Sequence, residues 1–181
     1  MAAIILSEAA EFASLGKSFL EGARVLDEAQ LENARILFRP ILALAGQGLE
    51  LILKACFHLN GQAPPDKGKE GHQILALWSA DICEPLRGHF FANASVVAEM
   101  YRNSCHYRGV PHDDEVLPSI EHSVTELCKL HGRDRYPLRY PTDQGQLAPR
   151  TPFLVKSLWR TADDLVKRPS EFELLRFRGN A

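Results

Sequence analysis

GQGLELILKACF, residues 46–57, is the stretch on which the fold turns. Gly48, Leu49, Ile52 and Cys56 recur at helical spacing and draw one inner face. Leu51, Leu53 and Phe57 make most of the remaining circumference apolar, which marks a helix enclosed by others. Outward from this core, Ile41, Ala45 and Leu59 continue the same face, with Leu44 beside it. The helix is expected over about 32–59, with Pro40 either kinking it or starting its main part. Asn60-Gly61 ends it, and QAPPDKGKE (62–70) reads as a polar loop. As a membrane span the segment fails. Its large apolar side chains favour insertion by about 0.5 kcal/mol each, a central lysine costs about 3, and Glu50, Gln47 and His58 add to that cost.

The flanking segments read as helices too. Ser7 is an expected N-cap for a first helix to about Asp27, with Phe12, Leu15, Phe19, Gly22 and Leu26 as its stripe. A short helix is expected from His72 to Trp78, and another from Asp81 to His106 that tolerates Pro85 near its start. The stripe of the latter is Ile82, Leu86, Phe90, Val97 and Met100 or Tyr101. GVPHDDEVLP (109–118) reads as loop, and a further helix spans Ser119 to His131 with Ile120, Val124, Leu127 and His131 on one face. Thr151 and Pro152 are expected as N-cap and first residue of the last long helix, with Val155, Leu158, Ala162 and Leu165 inward. Ser170 and Glu173 could cap a short terminal helix.

No segment alternates with period two. The expected fold is therefore all-α, an antiparallel bundle of four to five main helices. Residues 1–168 form one domain in this reading, with 133–150 an extended loop and 169–181 a short C-terminal helix or tail.

Composition narrows the function classes. The 181 residues are 45% hydrophobic and 24% charged, the make-up of an ordinary folded chain. A net charge of −2 argues against a surface that grips nucleic acid everywhere, although a local basic patch remains compatible with it. Cys56, Cys83, Cys105 and Cys128 form no CxxC pair and read as reduced, mostly buried thiols. MAAIILSEAA has no basic residue before its apolar run, so no signal peptide is expected and the chain is read as cytoplasmic.

Four features carry candidate chemistry. Glu50 and Lys54 stand four apart on the most apolar helix, either an ordinary surface ion pair or else a partly buried pair or interface position. His106, His112, His122 and His131 show no metal-ligand spacing and HExxH is absent, so no metal or other cofactor is expected. YRNSCHYRG (101–109) places Arg102 and His106 a turn apart if its helix continues, with Asn103, Tyr107 and Arg108 beside them. Such a group can contact a phosphate, or simply be a helix end whose cations suit the dipole. In RYPLRYP (135–141) each tyrosine precedes a proline and is biased to extended backbone. Arg135 and Arg139 either build a local basic patch there or lie in a loop pinned to the bundle.

GQGLELILKACF, GHQILALW (71–78) and LRYP (138–141), in that order, resemble the HEPN-like proteins, compact bacterial helical bundles. The resemblance spans about residues 10–141. It implies a bundle of four or five helices, a homodimer, and a setting beside nucleotidyltransferase-type partners or in toxin–antitoxin and defence systems. In active members it also implies metal-independent RNA cleavage by an arginine, a following polar residue and a later histidine, composed across the dimer. Arg102 and Asn103 match the first two positions, but His106 comes one residue early. Arg108 and His112 share the short spacing and put a glycine in the polar slot. The expected function is therefore a homodimeric module binding nucleotide, RNA or a protein partner, with no robust nuclease activity. The alternative is a HEPN ribonuclease in which His106 moves the proton, Arg102 stabilises the phosphorane and Asn103 orients one of them.

Overall fold

A computed structural model of the chain describes residues 7–30, 37–65, 74–104, 111–131, 138 and 148–174. Every regular element among them is helical: α1 (Glu8–Gln30), α2 (Phe38–Leu59), α3 (Ile74–Ser79), α4 (Glu84–Arg102), α5 (Val116–His131) and α6 (Thr151–Lys167). The chain is all-α.

Paired residues give the helix directions. Along α1 and α2, Phe12 stacks on His58, Gly16 meets Ile52 and Gly22 meets Leu44, so the two run antiparallel. Lys17–Asp163 and Asp27–Thr151 set α6 antiparallel to α1, and Asn93–Asp164 and Tyr101–Pro152 set it antiparallel to α4. Thus α6 lies in the slot between α1 and α4, while α2 passes through the middle. Ile41, Leu42, Leu49, Ile52 and Leu53 on α2 are fully buried, and Leu51 and Phe57 are only 7% and 9% exposed. The apolar circumference of α2 is therefore covered within the chain itself. α2 has the length and hydropathy of a membrane span, yet it is mostly buried as a core helix is.

The first helix corrects the expected stripe. Ala13, Gly16, Leu20, Ala23 and Asp27 face inward, one position on from Phe12, Leu15, Phe19, Gly22 and Leu26. Leu15 is 51% exposed, and Phe12 and Leu26 are only partly buried. The cause is the closeness of α1 to α2. A Cβ on Gly16 would lie 2.7 Å from Ile52 Cγ2, and one on Gly48 would lie 2.6 Å from Leu20 Cγ and 3.0 Å from the Gly16 carbonyl. Two backbones that touch need small residues at the seam, so the large ones sit on its flank.

Several boundaries also move. Ser7 Oγ does accept the Ala10 amide at 3.3 Å, and Pro40 lies in the first turn of α2. α4 ends at Arg102 rather than near His106, and Tyr101 packs inward while Met100 is 46% exposed. Residues 109–118 are not all loop. A 3₁₀ turn (Asp113–Glu115) leads into α5 at Val116, and Pro118 sits in the first turn, where its missing N–H costs nothing. The N-cap of α6 is Arg150, which leaves the Thr151 hydroxyl to donate to Asp27 instead. After Pro169 there is one 3₁₀ turn (Pro169–Phe172) whose N-cap is Arg168, in place of a short helix capped from Ser170. That turn is nonetheless anchored, because Phe172 is fully buried and stacks on His89, with ring centroids 4.2 Å apart. Of residues 133–150, Leu138 packs on the core and 148–150 are non-helical, while 133–137 and 139–147 lie outside the described residues.

Candidate functional site

The charged pair flagged on α2 proves to be the centre of a buried cluster. Glu50 is 1% exposed, and Lys54 Nζ donates to its Oε1 at 2.8 Å, one helical turn away. His131, the last residue of α5, brings Nε2 to 3.2 Å from the other carboxylate oxygen. These are not the only interactions Glu50 makes. The imidazole reaches this position because residue 46 is glycine: a Cβ there would stand 2.5 Å from His131 Nδ1. Burial pushes the Glu50 carboxyl up, but the hydrogen bonds from His131 and Lys54 and the lysine charge outweigh it and hold it at about 2. His131 is thus held between Gly46 on one ring nitrogen and Glu50 on the other. The arrangement locks the end of α5 to α2.

The second candidate lies at the far end of α4. Arg102 and Asn103 are exposed, and Asn103 caps the helix with its amide bonded to the Glu99 carbonyl. Arg102 Nη2 donates to Asp113 Oδ1 at 2.5 Å, so the guanidinium is engaged by a carboxylate whose own side chain is 86% exposed. His106, Tyr107 and Arg108 lie outside the described residues, as do Arg135 and Arg139. The helical register that would put Arg102 and His106 on one face ends with α4. A groove of about 130 Å³ opens nearby between α1, α4 and α6, but Tyr101 lines it and Arg102 does not.

A third polar group was not singled out from the sequence. Buried Asn93 donates to Asp164 Oδ2 at 2.8 Å and accepts from Arg160 Nε at 3.1 Å. Arg168 holds the other Asp164 oxygen at 2.6 Å and also reaches Glu171 in the terminal turn. Burial raises the Asp164 carboxyl, and the bonds from Asn93 and Arg168 more than reverse it, leaving it below its usual range. The group fastens α6 and the terminal turn to α4.

Charge elsewhere is similarly matched. Lys17 and Lys167 share Asp163, Arg24 holds Glu21 and Glu28, and Lys129 holds Glu126. Among the described residues no three His, Cys, Asp or Glu gather as metal ligands. The described cysteines, Cys56, Cys83 and Cys128, are buried thiols. Burial pushes Cys128 up to about 12, and the Cys83 contact together with burial raises Cys56 well above its ordinary value. Burial thus keeps Cys56 and Cys128 as protonated thiols at neutral pH.

No family model, no curated protein and no solved structure matches this chain.

Proposed function

We propose that this chain is a HEPN-like, self-associating module of the bacterial cytoplasm that binds a protein partner and does not cleave RNA. The observation that carries the reading is the pairing of Arg102 with Asp113. An arginine that is to stabilise a phosphorane has to offer its charge to the phosphate, and here it first has to leave an exposed aspartate that competes for it. The wider charge pattern favours a protein over a polyanion. Lys17, Arg24, Lys54, Arg102, Lys129, Lys167 and Arg168 all sit on carboxylates, which leaves that share of the cations matched within the chain. The helix order and the GQGLELILKACF signature supply the family resemblance.

The test is direct. Purified protein incubated with total RNA, with and without a chelator, is expected to leave it intact, and overexpression is expected to be harmless. Chelator-resistant cleavage that disappears in both Arg102→Ala and His106→Ala would reinstate the ribonuclease reading. Tight, salt-dependent binding of an RNA oligonucleotide would replace the protein partner with a nucleic acid.

A further inference from the structure

The groove of about 130 Å³ between α1, α4 and α6 plays no part in the proposed function, and the charges on its walls are unevenly matched. It lies where the last turns of α1 and α4 meet the first turns of α6. Lys156 stands on the α6 wall. Among the described residues it has no carboxylate partner, and its ammonium rests 5.0 Å from the centre of the Trp159 ring. On the α1 wall the imbalance has the opposite sign. Arg24 alone serves both Glu21 and Glu28, and the Glu28 side chain is 54% exposed. Asp27, buried beside it, adds a further carboxylate that accepts the Thr151 hydroxyl. One wall thus carries an open cation and the other a surplus of acid.

The two imbalances stand at a definite spacing. Lys17–Asp163 and Asp27–Thr151 fix the register of α1 against α6, which sets Lys156 opposite the α1 turn that contains Ala23. At a rise of about 1.5 Å per residue, Glu28 is then roughly 7 Å further along the pair. An ammonium and a carboxylate borne on one carbon span that distance when each makes its own hydrogen bond. Met100, Pro152 and Val155 add apolar lining. A cavity of about 150 Å³ holds benzene, so this groove has room for a branched aliphatic side chain. We propose that the groove binds a free α-amino acid with an aliphatic side chain. Lys156 takes the carboxylate, Glu28 takes the ammonium, and the apolar lining takes the side chain. A simple anion would meet the surplus acid and a simple amine would meet Lys156, whereas a zwitterion satisfies both walls. The site is independent of the self-association and protein binding proposed above.

Titration of the isotope-labelled full chain with L-leucine, L-valine and L-methionine, followed by NMR shifts, tests it. At least one is expected to bind with Kd on the order of 0.1–1 mM, the range open to so small a ligand. The shifts should centre on Met100, Val155 and Lys156. For the amino acid that binds, its N-acetyl derivative lacks the ammonium and its amide lacks the carboxylate. Each is expected to bind about tenfold or more weakly. Lys156→Met should weaken the parent amino acid about tenfold and abolish its advantage over the amide. Glu28→Gln should do the same for its advantage over the N-acetyl derivative. Both side chains lie at the rim and Arg24 keeps Glu21, so the thermal midpoint should hold in both variants. No binding of any of the three amino acids at about 10 mM overturns the proposal. Equal binding of parent, amide and N-acetyl derivative overturns it too, as does binding indifferent to both substitutions.

Discussion

Glu50 and Arg102 are each held in ion pairs, and the two places could hardly differ more. Around Glu50 the side chains are 2% exposed for the acid, 12% for Lys54 and 11% for His131. Around Arg102 they are 31% for the arginine and 86% for Asp113. Water screens the second pair and is excluded from the first. The same chemistry is therefore an anchor at the middle of α2 and a surface contact at the end of α4. A motif at a helix end attracts attention because it looks like a site, whereas the charges written into an apolar helix carry the larger consequence.

The comparison can be broken most forcefully at Glu50. Glu50→Ala strands the Lys54 ammonium and the His131 ring beside the core, and is expected to cost about 3–5 kcal/mol in urea denaturation. Replacing Glu50 and Lys54 together by methionine should recover much of that loss, because the stranded charge goes with its partner. A single-variant loss below about 1 kcal/mol would put Glu50 on the same footing as a surface pair.

Acid sharpens the contrast. The folded Glu50 carboxyl sits at about 2, against 4.5 for the unfolded group, so its contribution is complete above pH 4.5 and is lost as pH falls toward 2. The difference is worth about 3 kcal/mol over that window, by the usual 1.36 kcal/mol per unit. Asp163 and Asp164 are lowered as well and act in the same direction. Stability measured from pH 5 downward should fall steeply in wild type and less so in the double methionine variant. Equal slopes would show that the cluster is not what titrates.

The smallest effect belongs to the other side. Arg102→Ala and Asp113→Ala should each shift stability by less than about 1 kcal/mol, and salt should shrink even that. A larger, salt-resistant loss would mean that the end of α4 is as tightly built as the middle of α2.

Much of this was legible in the sequence where one strong local signal decided the matter. Pro40 and Asn60-Gly61 bracket α2, Ser7 caps α1, and His131 shares the inward face of Ile120, Val124 and Leu127. The misses share a cause. On α1 the large side chains drew the stripe, but the seam belonged to Ala13, Gly16, Leu20 and Ala23, because backbone contact with α2 excludes bulk. Asn93 went unnoticed because it is polar, yet it fills the gap that the stripe of Phe90 and Val97 leaves. Thr151 reads as an N-cap until Asp27, 124 residues earlier, claims its hydroxyl. Such competition from distant partners cannot be heard in a local window. The candidate site divides the same way: the i, i+4 spacing of Glu50 and Lys54 announced their pair, while His131 and Asp113 became visible as partners only in three dimensions.

The slot occupied by α6 also has a meaning in time. Contacts between α1 and α2 join neighbouring helices across a short connection, so the hairpin closes at little entropic cost. The Lys17–Asp163 bond, by contrast, spans 146 residues, and Asp27–Thr151 spans 124. The α1–α2 hairpin can therefore form early, whereas the last long helix has to thread back between α1 and α4 before the core is sealed. Its return is the long-range closure on which the cooperativity of the whole chain depends.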